Sequence, residues 1–178
     1  MHATKNTARK GRVISEWMCH RNLNPDGSIG GWVSETAHVA PTAYIGSEAM
    51  VLDHAKVLDE AEVTIKAKVY DRARVSGHAW ISEEAEVYDD ARVYGNAEVS
   101  DDAQVSGHAK VFEEARVYGD ARVYEHAEVF QHARVDDEAR VLGYTKVFGN
   151  AKVSGIHDGW GYIIDGDIEV PGSPKNSC

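Results

Sequence analysis

The chain has 178 residues, with 29 Asp and Glu against 19 Lys and Arg and a formal net charge of −10 at pH 7. This balance argues against general nucleic-acid binding, because Lys and Arg neutralising phosphates supply most non-specific affinity. No apolar run approaches membrane-spanning length, so no membrane partner is expected.

In chain order, residues 1–12 carry Lys5, Arg9 and Lys10 but no following apolar stretch, which argues against a secretory signal. From Arg12 to His20 the pattern alternates loosely and then meets the turn Asn24-Pro25-Asp26-Gly27. That combination predicts a short hairpin over the N-terminal edge of whatever follows, so 1–32 is taken as a cap. Cys19 and Cys178 fit no metal spacing. Two thiols in a reducing compartment are expected, and the cytoplasm is the expected location.

From Val33 to Val153 every sixth residue is Val or Ile, 21 positions without insertion or deletion, with Ile at 45 and 81 only. Four residues after each of these, from 37 to 151, stands Ala, with Thr145 the one exception. A period of six fits neither a helix nor simple strand alternation; it is the signature of a β-solenoid. The unit is V-x-[G/D/E]-x-A-x, as in Val93-Tyr94-Gly95-Asn96-Ala97-Glu98. A β-branched Val suits an inward strand position, Ala suits a tight corner, and Gly or Asp between them tolerates a left-handed bend. Three bends close a triangle, so 21 hexads make seven uninterrupted coils of 18 residues. Stacked at about 4.8 Å, they form an all-β prism roughly 34 Å tall. After Gly155 the register is expected to fail at Gly159, and Ile163-Ile164, Ile168 and Val170 predict a small strand or hairpin before a loose tail from Pro171. The chain is thus one domain: cap 1–32, solenoid 33–155, and a C-terminal cap strand and tail at 156–178.

The hexads resemble the left-handed parallel β-helix, or hexapeptide-repeat, superfamily, which includes acyltransferases and γ-class carbonic anhydrases. The Gly-Asn-Ala-x-Val form and Gly30-Gly31-Trp32-Val33 at the first coil are closer to the YdcK-like acyltransferase-type proteins of bacteria and prophages. Left-handedness comes with this resemblance; the residues themselves leave a right-handed triangular solenoid open. A homotrimer is likewise what the superfamily implies. The prophage likeness implies a viral accessory protein that sequesters a host factor, in which case the location is the host cytoplasm.

Residues 18 apart stack into outward columns. One face sets Arg74, Arg92 and Lys110 beside Tyr94, and this basic, aromatic strip is the expected binding site for an anion. In its lower half Phe112, Phe130 and Phe148 form an apolar stripe expected to be the oligomer interface. Five of the nine histidines, His54, His78, His108, His126 and His132, occupy the fourth place of the hexad, a solvent-facing corner, so no metal is expected there. His126 and His132 are six apart, not the five that the γ-carbonic-anhydrase type requires. Superfamily acyltransferases carry a general-base His on or beside a loop that interrupts the coils, and these coils have no interruption. His157 with Asp158 is the sole weak catalytic candidate, since it alone lies near an irregular segment. There is no G-x-S-x-G, phosphate loop or Cys/His cluster. The expected function is therefore non-catalytic: a trimeric solenoid that binds a partner protein or an anionic small molecule, without cofactor. CoA-dependent acyl transfer, with CoA as its cofactor, and a structural spacer are the alternatives.

Overall fold

The computed structural model describes residues 18–157, 163–165 and 169–170. Among these no α-helix forms and the regular elements are strands. An antiparallel hairpin of β1 (Cys19–Leu23) and β2 (Ile29–Ser34) opens the fold. From β3 (His38–Val39) and β4 (Tyr44–Ile45) onward, most strands are two residues long and start six residues apart. Each hexad thus supplies one extended pair, an outward side chain followed by an inward Val or Ile.

Every third strand pairs in parallel with register 18, which creates three ladders. Arg74, Arg92, Lys110 and Glu128 are successive partners on the first. Glu62, Trp80, Glu98 and Arg116 follow one another on the second. Lys68, Glu86, Gln104 and Arg122 make up the third. The result is a parallel β-solenoid of about seven turns, of the β-helix kind. Its interior is a single column of Val, Ile and Ala: from Ala49 to Val141 each member is 0% exposed. Burying one Val contributes about 1.5–3 kcal/mol, and the coil above completes what each coil alone leaves open.

The corners show why the third hexad place is restricted. In all 17 hexads from Asp53 to Gly149 that residue has φ between 54° and 76°, the left-handed region that costs an ordinary L-residue about 1–2 kcal/mol. Gly avoids the cost. Acids at this place offset it differently, by accepting a hydrogen bond from the same place one coil on: Gly77 N–H donates to Asp59 (3.0 Å), Gly107 N–H to Asp89 (3.1 Å) and Gly119 N–H to Asp101 (2.9 Å). Ile65, at φ 57°, has neither advantage.

An antiparallel hairpin stands at the N-terminal end, although most of the stretch expected as its first arm, 12–17, lies outside the described residues; its second strand is itself the first rung of the third ladder, with Trp32 and Val33 paired to Met50 and Val51. β1 therefore covers that ladder's edge. The edge of the second ladder is closed by one side chain. Buried Asn24 donates from Nδ2 to Ile45 O (3.1 Å) and accepts from Ile45 N–H (3.0 Å), so its amide replaces a strand. This needs close backbone approach, and a Cβ on Gly30 would lie 2.4 Å from Ile45 O, one on Gly31 2.1 Å from Ala49 O.

At the other end the structure corrects one expectation and, of the strand or hairpin expected after it, shows strands. The register breaks between Ser154 and Ile156, earlier than Gly159: Arg140 pairs with Ile156 and Val141 with His157. After Ser154 the chain runs two residues short against the preceding coil, with 16 residues in place of 18 between partners. The strands Ile163–Asp165 and Glu169–Val170 form no hairpin with each other. They pair in parallel with Lys146–Phe148 and Lys152–His157, continuing the coil with register 17.

Candidate functional site

The first ladder carries the predicted binding residues. Arg74, Arg92 and Lys110 are consecutive Cα partners on it, and Tyr94 stands two residues along the strand from Arg92. Together with Ser76 these four line one shallow depression of about 260 Å³.

Their charges are not equivalent. Lys110 Nζ lies 2.8 Å from Glu128 Oε1, and Lys146 Nζ lies 3.1 Å from Glu128 Oε2. Hydrogen bonding from Lys110 and then Lys146 outweighs burial and holds the Glu128 carboxyl below its ordinary range. Lys110 is thus already partnered, which column reasoning did not foresee. Arg74 and Arg92 are exposed, one rung apart, and make no ion pair among the described residues. Other cations are matched, Lys66 with Glu84, Lys68 with Glu86, Arg72 with Asp90, Arg116 with Glu98, while Lys56, Arg122, Arg134 and Arg140 also make no ion pair among the described residues. Two adjacent guanidiniums without ion pairs that share a depression with an aromatic ring favour an anion there.

The aromatic column beside them is a continuous stack. Tyr94 and Phe112 have centroids 4.9 Å apart, Phe112 and Phe130 4.9 Å, Phe130 and Phe148 5.0 Å, with planes within 10° of parallel. The rings shield one another's faces and are only half-exposed, so much of the stripe's apolar surface is buried within the chain itself. Burial pushes the Tyr94 phenol up, while Lys110 and Arg92 pull it down; it stays protonated at neutral pH.

The other candidates are dispersed. His54, His78, His108, His126 and His132 are exposed at the corners as expected. His108, His126 and Tyr144 stack at 5.0 and 4.8 Å, while His78 and His132 face Glu60 and Glu114 at 3.5 and 3.6 Å. Among the described residues no group of His, Cys, Asp and Glu has metal-holding geometry. His157 is described by its backbone alone, and Asp158 lies outside the described residues, as does Cys178; Cys19 is a free thiol. No described helix is long and apolar enough to cross a membrane.

Sequence reasoning missed two polar centres. Glu86, buried on the third face, takes Lys68 at 3.1 Å and the Tyr70 hydroxyl at 3.3 Å, and burial followed by the Glu86 charge pushes the Tyr70 phenol up. Asp136, buried on the second face, accepts from the Tyr118 hydroxyl at 2.9 Å and pairs with Lys152 at 3.3 Å. Both sit in columns of mixed character, where spacing gave no signal.

No family model, curated protein or solved structure matches the chain.

Proposed function

We propose that this solenoid is a non-catalytic binding protein whose first face captures an anionic group, carried by a small molecule or by an acidic stretch of a partner protein. The observation that carries this reading is that the adjacent, unpaired Arg74 and Arg92 line one depression together with Tyr94. A rigid ladder presents its charges without reordering, which favours capture. Replacing Arg74 and Arg92 together by Ala should weaken inorganic phosphate binding, followed by amide shifts on this face, at least tenfold. Melting should barely change, since exposed charges contribute little to stability. Phosphate shifts that are equal in wild type and variant would defeat the proposal.

The companion proposal is a homotrimer through the edges of Phe112, Phe130 and Phe148, in the cytoplasm, or in a host's cytoplasm in keeping with the YdcK-like prophage resemblance. Phe112→Ser with Phe130→Ser should lower the native mass from trimer to monomer; a monomeric wild type at micromolar concentration would end it. The fold favours one second reading, CoA-dependent acyl transfer. It requires acetyl-CoA turnover that disappears in His157→Ala.

A further inference from the structure

The aromatic stack on the first face stops at Tyr94. One rung toward the N-terminus the column holds Ser76, and beyond it Leu58. Tyr94 is covered by Phe112 on one side only; among the described residues no ring stacks on the other. Leu58 and Tyr94 are two rungs apart, about 9.6 Å, and Ser76 between them is too short to fill the level. The depression lies at this step, with Arg74 and Arg92 along one side and Ser76 and Tyr94 along the other. The contrast with the third face is informative: Ser106 also interrupts an aromatic column, between Tyr88 and Tyr124, but there the serine is buried. Ser76 is half-exposed, and its level stays open.

We infer that this step is a slot for a planar aromatic or heteroaromatic ring bearing an anionic group, which adds the missing rung to the stack. A ring about 4.9 Å above Tyr94 repeats the spacing that Phe112 already keeps below it. The Arg74–Arg92 column runs two residues away along the strand, about 6.6 Å, so a carboxylate or phosphoryl group on the ring's edge reaches both guanidiniums while the ring lies over Ser76. Stacking and charge then act on one ligand. The protonated Tyr94 hydroxyl adds no negative charge to repel it. This inference rests on the anion-capture reading and narrows its ligand class.

The test compares four probes by titration: 2-naphthoate, cyclohexanecarboxylate, adenosine monophosphate and inorganic phosphate. The planar probes should bind at least tenfold tighter than cyclohexanecarboxylate and shift the Ser76 resonances upfield through ring current. The tighter of naphthoate and adenosine monophosphate assigns the anion as carboxylate or phosphoryl. Ser76→Phe fills the slot from within: it should raise melting, which shows that it folds, and weaken both planar probes at least tenfold more than it weakens phosphate. Tyr94→Leu should bring naphthoate down to the level of cyclohexanecarboxylate. Equal binding of planar and saturated probes, or naphthoate binding that survives Ser76→Phe, overturns the slot and leaves anion capture standing. Failure of phosphate itself to perturb Arg74 and Arg92 overturns both.

Discussion

Ile65 is the clearest single misfit. A β-branched residue at φ 57° is strained, and its side chain is exposed, so nothing in the core repays the strain. Ile65→Asn should therefore raise stability by about 1 kcal/mol in chemical denaturation; an unchanged or lowered midpoint would show that the corner has relaxed around Ile. Asn24 is the opposite case, a side chain that replaces a whole strand. Asn24→Ala leaves the Ile45 N–H and C=O without those partners. The expected cost is about 2–3 kcal/mol, visible as faster amide exchange confined to the first coil. Sequence reasoning marked Asn24 as a turn residue and stopped there, because a side chain's long-range partner has no periodic trace.

At the scale of the element, the hexad was legible because one geometric rule repeats with little local context: Val inward, Ala at the corner, a left-handed third place. Val99 is fully buried between the rungs of Ile81 and Val117. Val99→Asp places an unpaired charge there and should cost at least about 4 kcal/mol, or prevent folding, as measured by denaturant midpoint. The outward columns were legible as membership only. Spacing put Arg74, Arg92, Lys110 and Tyr94 in one strip, but which cation is neutralised depends on where flexible side chains end. Glu128 decides that for Lys110. Its depressed pKa means that it contributes stability above the ordinary carboxylate value of 4.5, lost as pH falls through the lower folded value. Glu128→Gln should be less stable than wild type at pH 7, and the difference should shrink to nothing by about pH 2. A gap that stays constant across the acid limb would contradict this assignment. The C-terminal register shift was illegible for a different reason, since it falls where the hexads end and no repeat remains to mark it.

For the whole molecule, the inter-coil hydrogen bonds run along the prism axis, one rung to the next, as do the ring stacks and ion pairs between coils. Axial tension therefore pulls on each rung in turn, like a zip opened from its end, and does not shear many bonds at once. Held by its termini in a force spectrometer, the protein should yield at low force in a sawtooth. Each tooth releases one 18-residue coil and lengthens the chain by about 55 Å, the extended length of that segment less the rung it leaves. A single cooperative rip would show that the coils share load. A prism stiff under sideways pressure and soft under end-to-end pull is mechanically directional, and any partner bound across several rungs of the first face acts as a splint against that pull.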